Sequence, residues 1–271
     1  LRRASATGFI KQLKFLKKMA LKFAITPCPN DTFSYHALIT KALDSDFEFV
    51  FDDIEGLNLS AAKGEYPITK MSFAAFLLNR DKYELLDAGA ALGIGTGPVL
   101  VTANGKDFDA SKPVAVPGLN TTGALLLKFF LRKGVDMRPV YFRDIIGKIR
   151  AGEFDSGVLI HEGRFVCADM GMRIVSDLGA YWTEKTGLPV PLGCICVRRD
   201  FSERKAEIES LIRSSIDAAF ARPEDTYGFV RGYAQYLDDD VLKKHIYAFV
   251  NEYSKDISQI RGKLLENIAL C

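Results

Sequence analysis

Short apolar runs that alternate with helical patterns constrain the fold of this chain most strongly. Most runs end in a turn of polar residues, glycine or proline, and a segment with helical periodicity then follows. A short helix is predicted over residues 57–63, and from residue 203 onward the pattern is helical throughout. Such alternation predicts an α/β protein. The predicted strands cover residues 21–26, 47–54, 68–72, 85–92, 99–102, 113–117, 140–142, 157–160, 173–176 and 194–197.

The length of 271 residues favours two lobes over one compact core. Two polar segments, 104–112 and 198–200, are predicted to cross between the lobes. Lobe 1 is then expected to hold residues 19–108 plus 200–271, and lobe 2 to hold residues 109–199. A ligand is expected in the cleft between the lobes, which can close on a hinge.

The charge of the chain is unevenly distributed. Residues 1–18 carry six basic groups and no acid, and they are predicted to be a non-native or disordered extension. Without them the chain has 30 Lys+Arg against 34 Asp+Glu, a net charge of −4, so no nucleic acid is expected as a partner. No apolar run approaches the ~20 residues that cross a bilayer, so no membrane insertion is expected.

Cysteine usage points to a reducing compartment. The five cysteines form an odd set without a Cys-x-x-Cys pair, which favours small buried thiols in the cytoplasm over disulfides. No second histidine follows His161 at the spacing of a zinc motif. We therefore expect no metal site.

One of three histidines follows a predicted buried strand. Residues 157–160 form an apolar run, and His161 comes directly after it. In open α/β sheets, ligands bind beyond the carboxyl ends of strands, where a neutral imidazole can act as a base. The alternative is that His161 only caps the strand and bonds locally.

Two predicted helix starts carry groups that suit a carboxylate. Lys70 and Ser72 end a strand that runs directly into a helix, so a cation, a hydroxyl and first-turn amides come together. Residues 118–123, Gly-Leu-Asn-Thr-Thr-Gly, offer amides and hydroxyls in the same way. The two starts are predicted to face each other across the cleft. Taken alone, a serine in the position of Ser72 is more often just a helix N-cap.

Two further turns have less definite roles. In the turn at residues 27–31, Asn30 or Asp31 is predicted to cap a helix that runs to about residue 43. The glycine-rich segment 93–98 does not match a nucleotide-binding loop, because Pro98 stands where the third glycine belongs. We interpret it as a flexible turn.

Several motifs together resemble a known family. They are Thr-Pro-Cys-Pro-Asn-Asp-Thr-Phe at 26–33, Thr-Lys-Met-Ser-Phe-Ala-Ala at 69–75, Val-Pro-Gly at 116–118 with Thr-Thr at 121–122, Ile-His-Glu at 160–162 with Arg-Phe at 164–165, and the segments 177–182 and 186–193. In this order, between residue 21 and about residue 200, they are similar to the 1,4-dihydroxy-6-naphthoate synthases of menaquinone biosynthesis. The resemblance implies a two-lobed, periplasmic-binding-protein-like (type II) fold with the ligand cleft between the lobes.

The same resemblance implies an activity and a site. The activity is that of a cofactor-free lyase that converts cyclic dehypoxanthine futalosine, a small carboxylate, into 1,4-dihydroxy-6-naphthoate. The implied catalytic base falls on His161. The implied substrate contacts fall on Asn58, Lys70, Met71, Ser72, Thr122 and Gly123. The family often has alanine where this chain has Gly123, a change that a backbone amide contact tolerates.

Two alternatives stay open on the sequence. The first is chorismate dehydratase of the same pathway, which has a similar architecture. The second is a non-catalytic binder of small carboxylates, since the fold also serves transport receptors. A cytoplasmic location is expected, and the sequence leaves a homodimer open.

Overall fold

A computed structural model of the protein describes residues 20–132, 134–161, 163–234 and 238–271. Its alternating strands and helices confirm the predicted α/β class. The strands are β1 Leu21–Ile25, β2 Phe47–Phe51, β3 Ile68–Ser72, β4 Tyr83–Leu85, β5 Ala91–Gly93, β6 Val99–Ala103, β7 Val114–Val116, β8 Met137–Pro139, β9 Ser156–Leu159, β10 Met172–Asp177 and β11 Val190–Arg198. The helices are α1 Pro29–Ser34, α2 His36–Ile39, α3 Ile54–Ala62, α4 Phe73–Asn79, α5 Thr122–Leu131, α6 Ile145–Arg150, α7 Gly163–Val166, α8 Leu178–Thr186, α9 Lys205–Ala221, α10 Pro223–Arg231, α11 Asp239–Phe249, α12 Glu252–Lys255 and α13 Arg261–Ala269. The predicted extension at residues 1–18 lies outside the described residues.

The first sheet has the strand order β2-β1-β3-β11-β4, and β5 also pairs with β11. Strand β1 runs parallel to β2 and β3, whereas β11 runs antiparallel to β3, β4 and β5. Every residue of β3 is buried because the strand lies between β1 and β11. Lys70 and Ser72 are thus positioned by the interior of a sheet rather than by a loop.

The second sheet has the order β10-β6-β9-β7-β8. Strand β7 is parallel to β8 and β9, and β6 is antiparallel to β9 and β10. In the β6–β9 register, Val99 pairs with Leu159, so the start of β6 lies beside the end of β9. The glycine-rich segment before β6 and His161 after β9 therefore lie close together, at the same ends of these two neighbouring strands.

The sheets differ from the predicted lobe boundaries at two strands. Strand β6, which the boundary at residue 108 assigned to lobe 1, belongs to the second sheet because it pairs with β9 and β10. Strand β11, assigned to lobe 2 by the boundary at residue 199, completes the first sheet by pairing with β3. The polar segment 104–112 is instead a surface connection between β6 and β7, where Lys106 and Lys112 form ion pairs with Asp155.

The C-terminal helices pack on the first sheet and its neighbours. On α9, Ile208, Ile212 and Ile216 are fully buried in the same apolar cluster as residues of β1 and α11. Their spacing of four residues forms one apolar stripe along the helix. Helix α13 contributes to the cluster that covers α4. Within the described ranges, no helix is long and apolar enough to span a membrane.

Three local predictions are wrong in their bounds. The predicted helix that runs to about residue 43 is two short helices, α1 and α2. The predicted strand at 85–92 is divided into β4 and β5 around Asp87, whose carboxylate pairs with Arg261 at 2.7 Å. The helix predicted over residues 57–63 begins at Ile54, because Asp53 caps it by accepting bonds from the amides of Glu55 and Gly56.

We expect Asp53→Ala to lower the free energy of unfolding by about 1 kcal/mol, because two first-turn amides of α3 lose their acceptor. Asp53→Ser keeps a side-chain oxygen and is the matched control, with an expected loss of less than half that of alanine. Urea denaturation followed by circular dichroism measures both. Equal losses in the two variants would contradict the assigned cap.

Candidate active site between the two sheets

The space between the sheets holds a cavity of about 600 Å³, part of which is open to solvent. A concave space with an apolar lining and a few convergent polar groups is the usual form of a small-molecule site. Five of the predicted site residues line it, namely Lys70, Ser72, Thr122, Gly123 and His161. The predicted residues Asn58 and Met71 are buried but do not line it.

A second cavity adjoins the first at His161. It has about 520 Å³ of empty space, and its lining includes Cys28, Asp52, Tyr141 and Phe142. His161 borders both cavities. The imidazole therefore stands between two spaces, either of which can hold part of a ligand.

His161 lies two residues beyond the end of β9, close to its predicted position. Its backbone has φ = 54°, a left-handed conformation that is strained for a residue other than glycine. Its ring packs on that of Phe142 at a centroid distance of 4.9 Å, and its Nδ1 lies 3.3 Å from Cys28 Sγ, on the first sheet's side of the cavity. The ring thus contacts a residue 133 positions away in sequence, unlike a local strand cap.

The imidazole of His161 is uncharged at neutral pH. Burial, followed by the nearby charges of Lys70 and Arg143, lowers its pKa from 6.5 to about 3. A neutral imidazole has a free ring lone pair, which is the form that accepts a proton. The arrangement is therefore compatible with a base.

Lys70 and Asp31 form a buried ion pair. The Lys70 ammonium lies 2.6 Å from both carboxylate oxygens, and the two residues are only 5% and 3% exposed. Asp31 also accepts bonds from the amide and hydroxyl of Thr26 and from Asn30 Nδ2. The predicted cation at the end of β3 is thus already paired within the protein.

The role predicted for Asn30 or Asp31 as a helix cap is wrong. Cys28 is the N-cap residue of α1, it makes no side-chain capping bond, and Pro29 occupies the first turn. Asn30 and Asp31 lie inside the first turn rather than before it, and their side chains bond to other elements: Asp31 to Lys70 and Thr26, and Asn30 to His245.

Asn58 positions Ser72. The Ser72 amide donates to Asn58 Oδ1 at 2.9 Å, and Asn58 Nδ2 lies 3.2 Å from Ser72 Oγ. Ser72 begins α4 without a side-chain capping bond, so its hydroxyl is not used as a cap. Asn58 thus holds the hydroxyl that lines the cavity.

Two sets of hydrogen bonds connect the sheets beside the cavity. Glu55 of α3 accepts bonds from the amide and the side chain of Asn120, at 3.2 and 2.8 Å. Across the cavity, Thr122 Oγ1 donates to the carbonyl of Leu192 in β11 at 3.0 Å. Together these bonds connect the two lobes beside the cavity.

Helix α5 begins at the cavity, as predicted. Thr121 caps it by accepting a bond from the Ala124 amide, and Thr122 and Gly123 occupy its first turn. The unpaired amides of a first turn favour a negatively charged group nearby. A Cβ atom added to Gly123 would lie 3.4 Å from Ile160 and Val158, so alanine fits this position with little adjustment.

Sequence reasoning missed residues from the C-terminal helices and the glycine-rich turn. His245 and Phe249 of α11 line the cavity, and so do Gly97 and Pro98. Arg164 holds that turn by donating to the Gly97 carbonyl while pairing with Asp177 at 2.8 Å. A signal for His245 existed, because it shares the apolar face of α11 with Leu242, Ile246 and Phe249, where a polar residue is unusual.

No metal site emerges from the part of the chain that is described. In it, no three His, Cys, Asp or Glu side chains form a group that could hold an ion. The site instead combines neutral imidazoles, hydroxyls and a helix start.

The fold and this cavity define a class of protein, the two-lobed periplasmic-binding-protein-like proteins. A crystal structure of an Archaeoglobus fulgidus protein matches with a TM-score of 0.86 and 35% identity, covering 92% of this chain and 95% of the other. A Candida albicans protein described as having the generic periplasmic binding protein fold matches with a TM-score of 0.69, covering 93% and 90%. At 12% identity, the second likeness concerns the fold alone.

Sequence comparison then identifies the family. The family model described as "Menaquinone biosynthesis" matches residues 21–265. A Thermus thermophilus protein named 1,4-dihydroxy-6-naphthoate synthase is 40% identical over 243 residues, which are 89% of this chain and 89% of the relative. The chain belongs to the menaquinone-biosynthesis family, which confirms the resemblance seen in its motifs.

Removing the cation of the buried pair should destabilise the protein. Lys70→Met leaves the Asp31 carboxylate buried and unpaired, and we expect it to lower the free energy of unfolding by about 3–5 kcal/mol. Adding Asp31→Asn removes the unpaired charge and should restore part of this loss. Lys106→Met, which breaks an exposed pair with Asp155, is the control and should cost less than about 1 kcal/mol. Urea denaturation measures all three, and a small loss for Lys70→Met alone would contradict the importance of the pair.

The low pKa of His161 predicts a pH dependence of stability. The folded-state pKa is about 3, below the 6.5 of a free histidine, so the unfolded chain binds the proton more readily. The stabilisation is present above pH 6.5 and is lost as the pH falls toward 3. Between pH 7 and 5, the wild type should lose about 1–2 kcal/mol more than His161→Asn, which cannot titrate. Parallel curves of unfolding free energy against pH would contradict a depressed pKa.

Proposed function

We propose that this chain is a 1,4-dihydroxy-6-naphthoate synthase, a carbon–carbon lyase that converts cyclic dehypoxanthine futalosine into 1,4-dihydroxy-6-naphthoate. Its membership of the menaquinone-biosynthesis family supports the proposal, as does the 40% identity to a protein of that name. The observation that carries it is the neutral imidazole of His161 in a cavity that also contains two hydroxyls and the start of α5.

In the proposed reaction, His161 removes a proton from the bound substrate. Cleavage of a carbon–carbon bond then releases the sugar-derived portion, and formation of an aromatic ring favours the product. A positioned base contributes about 10²–10⁴-fold to the rate. No cofactor takes part in the reaction as proposed.

The substrate carboxylate is proposed to bind at the Ser72 hydroxyl and at the first-turn amides of α5, those of Thr122 and Gly123, because the Thr122 hydroxyl already donates to the Leu192 carbonyl. The positive end of the helix dipole favours an anion there. The Lys70 charge is balanced by Asp31 at 2.6 Å, so we assign Lys70 an electrostatic role rather than direct pairing with the substrate. In our proposal Asn58 acts through Ser72, and Met71 acts only through the backbone of β3.

The alternative, a non-catalytic binder of small carboxylates, is supported by the fold alone. The ligand-binding component of a Staphylococcus aureus ABC-type import system has the same fold, with a TM-score of 0.67, but only 9% identity. The much closer relative is named as a synthase, which favours an enzyme. We further propose a cytoplasmic location, which the cysteine pattern of the sequence favours, and a homodimer, which a measurement of molecular mass in solution tests.

The proposed activity is tested with His161→Asn, which keeps the size and polarity of the side chain but removes the base. Incubation with cyclic dehypoxanthine futalosine and, separately, with chorismate is followed by ultraviolet absorbance. Only the proposed activity forms a naphthalene chromophore. We expect the wild type to form it from the cyclic substrate, and the variant to turn over about 10²–10⁴-fold more slowly.

His36→Asn is the matched control, since His36 packs on Phe229 and does not line the cavity. It should retain the wild-type rate. A wild-type rate in His161→Asn would exclude His161 as the base, and absence of the chromophore with wild-type protein would overturn the proposed function.

A further inference from the structure

A second imidazole lines the cavity and is not explained by the proposed base. His245 of α11 is only 1% exposed, and its ring lies 6.2 Å from that of His161, measured between centroids. Its Nδ1 has no hydrogen-bonding partner among the described residues. The other buried side-chain atoms without partners in those ranges are hydroxyl oxygens. A buried ring nitrogen left unpaired is destabilising, and because the His245 ring lines the cavity, a ligand there is a source of the missing donor.

A chain of hydrogen bonds determines which nitrogen of His245 carries the proton. Asn30 Nδ2 lies 2.8 Å from Asp31 Oδ1, and the carboxylate can only accept, so the Asn30 amide must donate there. Its Oδ1 therefore faces His245 Nε2, at 2.9 Å. An oxygen in this position accepts, so Nε2 carries the hydrogen and Nδ1 holds a lone pair.

The surroundings of His245 keep the ring neutral. Burial, followed by the neighbouring His161 and Lys70, holds its pKa well below the usual value. Its other ring contacts are with Phe165 and Phe249, which offer no hydrogen bond to Nδ1. Nδ1 of the neutral ring is therefore a hydrogen-bond acceptor whose position is fixed and whose aromatic neighbours are apolar.

We infer that His245 Nδ1 accepts a hydrogen bond from a hydroxyl group of the substrate. A lone pair repels a carboxylate oxygen, so the substrate's charged group is excluded from this position. A cation is disfavoured as well, because Lys70 already lies close to both imidazoles. A neutral hydroxyl donor satisfies Nδ1 without either penalty. The inference rests on the proposed function, because it assigns part of the same substrate.

His245 is a positioning residue in this inference and His161 remains the base. The 6.2 Å between the two rings lets one small molecule contact both. A hydroxyl fixed on His245 at one point and a carboxylate fixed at α5 at another define the orientation of the substrate toward His161. Orientation of this kind aligns the reacting atoms before the proton is removed.

Two substitutions separate the two nitrogens of His245. In His245→Gln, the terminal amide reaches the position of Nε2 and keeps the bond to Asn30, but no acceptor remains at Nδ1. In His245→Asn, the shorter amide keeps an oxygen near Nδ1 and loses the bond to Asn30. His245→Phe, which fills the same space beside Phe165 and Phe249, is a second variant without an acceptor.

We expect His245→Gln and His245→Phe to raise KM for the cyclic substrate and to lower kcat/KM by about 10–100-fold. His245→Asn should retain kcat/KM within about fivefold of the wild type, although its melting temperature falls. A residue that only supports the fold would give the opposite order, with glutamine tolerated and asparagine impaired. Steady-state rates of chromophore formation and melting temperatures are measured on the same preparations.

Three outcomes overturn the inference. They are equal losses in all variants, no loss in any of them, or a greater loss in His245→Asn than in His245→Gln. Each of these leaves the wild-type activity intact and so leaves the proposed function standing. Failure of the wild type to form the chromophore is a different result, which rejects the proposed function itself.

Discussion

The buried ion pair between Lys70 and Asp31 is the interaction on which the site depends. It joins β3, in the middle of the first sheet, to the start of α1. Through Asp31 it orients Asn30, and through Asn30 it fixes the proton on His245. After burial itself, the charge of Lys70 is a further cause of the lowered pKa of both imidazoles. This pair thus contributes to the neutral state of two imidazoles that line the same cavity.

Local patterns predicted the α/β class, most strands and the position of His161, because these features depend on residues near in sequence. The sheet membership of β6 and β11 was not predictable from the sequence for a different reason. Strand β6 is assigned by its pairing with β9, more than fifty residues later, and β11 by its pairing with β3. No local sequence pattern predicts which strands pair over such a separation. His245 was missed because its bond to Asn30 spans 215 residues, and the local signal, a histidine on the apolar face of α11, does not indicate its partner.

The predicted groups for anion binding are only partly available in the folded protein. Lys70 lines the cavity but is already paired, and Asn58 bonds to Ser72 instead of facing the space. What remains is a set of neutral donors, namely the Ser72 hydroxyl and the amino end of α5, since the Thr122 hydroxyl already donates to Leu192. Neutral donors with fixed directions discriminate by geometry as well as by charge. Such a site can hold a carboxylate and still release it, since no full ion pair has to be broken.

The bonds between Glu55 and Asn120 have a consequence for how molecules enter and leave the cleft. They connect α3 to the loop before α5, at the side of the cavity, and they contain no apolar contact. Water can replace each of them when the lobes separate, whereas an apolar cluster that includes Met71 of the first sheet and Leu100 and Val116 of the second also joins the two lobes. The frequency of that separation sets how often the interior exchanges its contents with bulk solvent. In an enzyme with fast chemistry, this exchange becomes the slowest step of the cycle.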